Sequence, residues 1–156
     1  DTNYVIKCFE WADIERHFDE ICDMQLENIY KFHYPQKKPD RDYVKRKILE
    51  IKKHLENKNT FFVGATIGDR LCGYIWCYEG IFIDEKSMFI NALFVCEEVR
   101  GSCLGQLLMN EVKRIAVDND CDSISTHYAV FNTVAGKFYD KNRFNPIRVE
   151  TVCRLK

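Results

Sequence analysis

No apolar run in this chain is long enough to cross a membrane, and its N-terminus lacks the basic-then-apolar pattern of a secretory leader. Neither membrane embedding nor export is expected, and the chain reads as cytoplasmic. Charge of one sign is missing as well. The 23 Lys and Arg nearly cancel the 24 Asp and Glu, leaving a formal net charge of −1. So weak a field gives neither nucleic acid nor an anionic membrane surface a general reason to bind. Proline is scarce, with three in 156 residues, and two of these, Pro35 and Pro39, fall in one short stretch. Regular structure is therefore interrupted in few places. Internal repeats, low-complexity tracts and a linker are all lacking, so residues 1–156 are expected to form a single domain. The two common phosphate loops are absent too: there is no Gly-Lys-Ser/Thr and no Gly-x-Gly-x-x-Gly.

Cysteine is plentiful but unpatterned. The eight residues Cys8, Cys22, Cys72, Cys77, Cys96, Cys103, Cys121 and Cys153 include no Cys-x-x-Cys pair, and His17, His33, His54 and His127 are equally scattered. A zinc site needs ligands clustered at short spacing, so no metal is expected. Several of these cysteines fall where a small apolar residue suits a strand or helix face. Reduced, mostly buried thiols are the expectation.

What is present is enough apolar material for a core: 46% hydrophobic residues, 13% aromatic. Tyr4–Phe9 reads as a first strand. Ile14, Phe18, Ile21, Cys22 and Ile29 recur at helical spacing between Glu10 and Phe32. After a loop over Tyr34–Pro39, Asp40 is suited to cap a second helix with the stripe Val44, Ile48, Ile51 and Leu55. Strands follow at Phe61–Ile67 and Leu71–Glu79, joined by Gly68-Asp69, and then at Met88–Val95 after a turn over Gly80–Lys86. A helix over Leu104–Val117, a strand over Ser123–Tyr128, a helix from Asn132 to Lys141 and a last strand over Ile147–Leu155 complete the chain. Asn142 is able to take the left-handed conformation that ends a helix. The order β-α-α-β-β-β-α-β-α-β implies an α/β domain of the α+β type, with a mixed sheet and helices on both faces.

One stretch concentrates the chemistry. Phe89 to Val95 is an apolar strand, and Cys96 to Cys103 is a turn carrying Arg100 and Gly101. Leu104 then opens an amphipathic helix with Gly105 in its first turn. A strand feeding a helix in this way points backbone N–H groups and the positive end of the helix dipole at one spot, which suits a phosphate.

Arg100-Gly101-Ser102-Cys103-Leu104-Gly105 resembles the Arg/Gln-x-x-Gly-x-Gly/Ala signature of the GNAT superfamily of acyl-CoA-dependent N-acyltransferases, with Cys103 in place of the middle glycine. The segment from Asn132 to Phe144 is similar to the family's Asn-x-x-Ala-x-x-Phe-Tyr-x-x-x-Gly-Phe, with Asn142 in place of the glycine. The resemblance covers Phe61–Lys156; residues 1–60 match in pattern only. It implies a mostly antiparallel twisted sheet of six to seven strands, split between the fourth and fifth. It further implies acetyl-CoA as co-substrate, held by Leu93, Phe94 and Val95 on the strand edge. Arg100, Gly101, Ser102, Cys103, Leu104 and Gly105 would hold it at the turn, and Asn132 and Phe138 across the cleft. A plain helix cap is the other role open to Asn132.

The same resemblance gives Tyr139 the role of general acid to the departing sulfur. A phenol with pKa near 10 is a sensible donor to a thiolate of similar basicity. Many family members carry a glutamate on the fourth strand as base. Here Asn91 and Ala92 stand at those positions, and neither can take a proton at neutral pH. Glu79, His127 or a chain of waters remain as ways to deprotonate the amine. The expected reaction is direct attack by a small-molecule or protein amine in a ternary complex, with no cysteine placed as nucleophile. A non-catalytic acyl-CoA-binding module is the alternative. Family members often dimerise, so a homodimer is possible, though no interface stands out in the sequence.

Overall fold

The computed structural model describes residues 3–156. Its strands are β1 (Val5–Cys8), β2 (Thr60–Ile67), β3 (Arg70–Phe82), β4 (Glu85–Val95) and β5 (Ser123–Thr126), and they lie side by side in that order. The first four pair antiparallel, while β4 and β5 run parallel. The helices are α1 (Trp11–Arg16), α2 (Phe18–Glu27), which continues into a π-helical turn over Asn28–His33, α3 (Arg41–Glu56), α4 (Leu104–Asp118) and α5 (Thr133–Lys141).

The helices divide between the two faces of the sheet, and two neighbouring residues of β3 show how. The side chain of Tyr74 is fully buried and its hydroxyl donates to the Gln25 side chain of α2. A Cβ on the neighbouring Gly73 would point the other way and meet Leu104 of α4 and the backbone of β4. Thus α2 and α3 cover one face and α4 the other. On the first face Tyr74 stacks with Phe62 and Phe94, and its buried hydroxyl would cost about 1–3 kcal/mol if it lacked the Gln25 partner. On the second, Leu104, Leu108, Val112 and Ile115 repeat at the spacing that keeps one stripe of α4 inward.

Local signals explain most boundaries. The Asp40 side chain accepts from the Tyr43 N–H at 2.7 Å, and the predicted stripe of Val44, Ile48 and Ile51 is fully buried. The long helix expected over Glu10–Phe32 is instead broken at His17, whose φ of −102° and ψ of 18° turn the chain. The ring of His17 stacks on Phe9 and its Nδ1 lies 2.8 Å from Glu20, so the break is fixed by contacts outside the helix itself. The hairpin between β3 and β4 runs on to Phe82, and its tip is Ile83-Asp84, both at positive φ (49° and 61°).

At the end of α5 the left-handed residue is Arg143 (φ 69°), not Asn142 (φ −88°) as expected. The Phe144 N–H reaches the Tyr139 carbonyl at 2.9 Å, the Arg143 N–H reaches Asp140, and the Phe144 ring packs edge-on against Tyr139. This is a Schellman cap with its usual hydrophobic contact. Asn142 is free to turn its amide inward, where it joins Gln106 and Lys113 of α4.

The sheet has five strands among the described residues, not six to seven. The strand expected over Ile147–Leu155 finds no partner: residues 145–156 have no regular structure, and their side chains are exposed. No helix among the described residues is long and apolar enough to cross a membrane.

All eight cysteines are unpaired. Burial pushes the Cys77 thiol up to about 12 and raises Cys22 and Cys96 as well. Titration of the native protein with a thiol reagent is therefore expected to modify Cys103 and Cys153 first. Cys8 should follow, being exposed but with its thiol raised by desolvation. The remaining five should react only on denaturation. Rapid modification of Cys22, Cys72, Cys77 or Cys96 in the native state would contradict this packing.

Candidate functional site

The site is built where β4 and β5 part. They pair over only four positions, from Ser87 with Ser123 to Ile90 with Thr126. Beyond Ile90 the strand β4 continues to Val95 with β3 on one side and, among the described residues, no strand on the other. A bulge lies at the fork: Trp76 pairs with Ala92 and Cys77 with Ile90, so Asn91 is the extra residue. The Cys96 N–H bonds Cys72 of β3, and alternation along an antiparallel strand then turns the N–H of Phe94 toward β3 as well. Leu93 and the N–H of Val95 face the open edge, while the Val95 carbonyl accepts from Arg100. Of the three strand residues expected to hold a co-substrate, Leu93 and Val95 have backbone groups turned away from β3. Phe94 instead turns its N–H to β3, and its ring is buried among Tyr74, Phe32 and Arg100.

The turn after β4 supplies the second part. Gly101 has φ 83°, a conformation open mainly to glycine, with free space where a Cβ would lie. Cys103 has φ −84°, so a side chain is accommodated without strain where the family motif has glycine. Ser102 bonds Val99 and the Leu104 N–H, and the N–H groups of Gly101, Cys103 and Gly105 have no partner among the described residues. A Cβ placed on Gly105 would lie 3.7 Å from the Phe138 ring of α5, an ordinary contact, so α4 and α5 converge on this spot. These orphan donors at the start of a 15-residue helix fit a diphosphate.

The Arg100 side chain is directed elsewhere than expected. Its Nε donates to the Val95 carbonyl at 2.9 Å, and its guanidinium lies 5.2 and 5.3 Å from the ring centres of Phe32 and Phe94, with Glu27 at 3.8 Å. It therefore ties the turn to the π-helical segment rather than facing a phosphate. Cation–π attraction of this kind contributes about 0.5–1 kcal/mol where partly solvated.

Across the fork stands α5. Asn132 caps it, accepting from the Ala135 N–H at 3.1 Å, so the cap role is filled while the amide nitrogen stays free for another partner. Tyr139 is 6% exposed, stacked on Tyr128 and enclosed by Phe138 and Phe144. Burial raises its pKa, and the neighbouring Thr126 hydroxyl pulls the other way. Thr126 itself donates to the Ile90 carbonyl at 3.0 Å, in the last position where β4 and β5 remain paired. Tyr139 thus sits at the crotch of the fork and stays protonated through neutral pH.

On the opposite face a cavity of about 580 Å³ opens between α3, the π-helical turn and the β3–β4 hairpin. Its walls include His33, Tyr34, Tyr43, His54, Trp76 and Tyr78, and it reaches the fork at Phe89, Asn91 and His127. Burial lowers the His33 pKa, so that ring is neutral at pH 7. In the sequence His33 is one of four scattered histidines, because its burial depends on the later strands.

Glu79 is a correction. It follows Tyr78 by one residue and so points to the other face, away from this cavity. It lies 3.6 Å from Lys86, and its remaining carboxylate oxygen is buried without a hydrogen-bond partner among the described residues. That position removes the geometry its role as base required. Among the described residues no group of three His, Cys, Asp or Glu side chains is placed to hold a metal.

The sequence matches the family described as Acetyltransferase (GNAT) family over residues 23–144. The chain belongs to that family. Solved structures agree in fold. AAC(6')-Iy, captured with the bisubstrate analogue CoA-S-monomethyl-acetylneamine, has a TM-score of 0.73 at 16% identity, covering 99% of each chain. An aminoglycoside acetyltransferase from an uncultured soil metagenomic sample gives 0.74 at 15% identity, covering 100% of this chain and 99% of that one. Glucosamine-6-phosphate N-acetyltransferase from Arabidopsis thaliana gives 0.69 at 14%, again covering 99% of each. Such distant likenesses establish the GNAT fold and leave the acceptor open.

The two glycines of the turn separate conformation from space. Gly101→Ala is expected to cost about 1 kcal/mol through its positive φ, and to weaken binding of coenzyme A. Gly105→Ala should be neutral or slightly stabilising, since helix propensity favours alanine and the contact is ordinary. Thermal unfolding with calorimetric titration checks both, and equal effects at the two positions would contradict this account of the turn.

Proposed function

We infer that this GNAT-family protein transfers an acetyl group from acetyl-CoA to a primary amine of a small molecule or protein. The observation that carries this reading is the fork. An unpaired strand edge, orphan helix N–H groups and a buried tyrosine converge there from one face, and an aromatic cavity arrives from the other. The edge groups of Leu93 would pair with the peptide-like pantetheine arm, and the amides of Gly101, Cys103 and Gly105 would hold the diphosphate.

With both ligands bound, the amine attacks the thioester carbonyl directly from the cavity side. The N–H of Val95 would polarise the carbonyl as negative charge develops on its oxygen. The C–S bond then breaks, and Tyr139 gives its proton to the leaving thiolate. Its raised pKa keeps that proton in place through the working range. The attacking amine loses a proton to His127 or His33, or to water in the cavity. Both imidazoles line that space, and a neutral ring is the form that can accept a proton. The aromatic walls favour an acceptor with an apolar or ring-bearing body rather than a polycationic peptide.

Tyr139→Phe is expected to lower turnover by about a hundredfold or more while leaving coenzyme A affinity near that of the wild type. The assay follows thiol release across a panel of amines. Unchanged turnover would remove Tyr139 from the mechanism. Tight coenzyme binding without thiol release from any amine would assign the chain instead as an acyl-CoA-binding module.

A further inference from the structure

The cavity beside the fork holds hydrogen-bond donors that nothing in the protein uses. Gln25 is 8% exposed, and its Oε1 already accepts from the Tyr74 hydroxyl. The amide nitrogen of the same side chain is left without a protein partner among the described residues, and Gln25 lines the cavity. The Trp76 indole, packed against Phe62, stands in the same wall, and its N–H bonds no protein group among those residues. A buried donor without an acceptor is costly, so this wall calls for a ligand atom that accepts hydrogen bonds. Strand register puts both groups near the fork, with Tyr74 opposite Phe94 and Trp76 opposite Ala92.

The charges around the cavity have the matching sign. Lys47 lines it from α3, and the Lys37 ammonium lies 5.6 Å from the ring centre of Tyr34, another wall residue. Lys38 is held in the same way over Tyr30, at 5.9 Å. Glu50 is the one carboxylate among the described lining residues, and it is exposed and paired with Lys47 at 3.6 Å. An ammonium group beyond the reacting one would therefore meet three lysines and no free carboxylate, whereas an anion would meet attraction. Asn59 adds one acceptor: its Oδ1 is buried without a partner among the described residues, and it suits a hydroxyl or N–H of the same ligand.

We propose that the acceptor is a small primary amine that also carries an anionic group, a carboxylate or a phosphate, held by Gln25, Trp76 and Lys47 while the amine faces the fork. This rests on the acetyl-transfer reading above and narrows its substrate class. Gln25 and Trp76 supply N–H donors to the anion. Lys47 supplies charge, giving up its long contact with Glu50 for a closer one. Charge-assisted bonds of this sort change affinity by about tenfold or more. The anion takes no part in bond making or breaking, so its recognition acts on KM more than on kcat.

Thiol release from acetyl-CoA is followed with two matched pairs, phenylalanine against phenylethylamine and glucosamine 6-phosphate against glucosamine, and with spermidine as a polycation. The anionic member of at least one pair is expected to show a kcat/KM about tenfold higher or more, carried mainly by KM. The pair that responds tells carboxylate from phosphate. Gln25→Glu keeps an oxygen for Tyr74 but replaces the free donors with a carboxylate oxygen. It should raise KM for the preferred anionic amine about tenfold more than for its anion-free partner. Lys47→Gln changes an exposed position and should act in the same direction by about threefold, which keeps the test open even where Gln25→Glu does not fold. A smaller preference in both pairs, a preference for spermidine, or variants that affect both members of a pair alike would overturn the proposal and leave acetyl transfer standing. Thiol release with none of these amines would overturn the proposal and the acetyl-transfer reading together.

Discussion

The separation of β4 from β5 after Ile90 and Thr126 is the constraint on which the rest of this molecule depends. A buried strand edge cannot be left without hydrogen-bond partners, so beyond the fork β4 must face water or a ligand. The Asn91 bulge helps to set that point, because an extra residue in one strand bends it away from its neighbour. Everything placed at the fork then acquires access to the open edge of β4. From one face come the first turns of α4 and the ring of Tyr139, and from the other comes the aromatic cavity.

Several contacts keep the fork from closing or widening. The Ser87 and Ser125 hydroxyls meet at 3.1 Å, and Thr126 bonds Ile90, so the paired part of β4 and β5 is held by side chains as well as backbone. Tyr139 is clamped between Tyr128 and the capping Phe144, and Asn142 ties the end of α5 to α4. Arg100 belongs to this scaffold: its grip on the Val95 carbonyl and on the Phe32 and Phe94 rings fixes the end of β4 relative to the π-helical turn. Rigid support of this sort is what a preorganised acyl-transfer site requires.

Features that depend on neighbours in sequence were legible there. The Asp40 cap, the Val44–Ile48–Ile51 stripe, the alternation in β2, β3 and β4, and the strand–turn–helix around Arg100 all follow from local spacing. Features that depend on distant partners were not. The break at His17 needs Phe9 and Glu20, and the direction of the Arg100 side chain needs Phe32. Glu79 stood one residue out of register with the cavity, and in a strand one residue is the difference between two faces. The left-handed cap fell on Arg143 because Asn142 gains more by bonding across to α4 than by ending the helix. The tail alternates as a strand would over residues 147–155, yet it forms none, because alternation in sequence does not supply a partner edge.

Whether the fork between β4 and β5 receives acetyl-CoA is decided by nuclear magnetic resonance of amide-labelled protein during titration with coenzyme A. The largest shifts are expected at Leu93, Val95, Gly101, Cys103 and Gly105, with smaller ones in α5 around Asn132. Saturable binding that leaves these amides unmoved, or shifts confined to the cavity beneath α3, would contradict it.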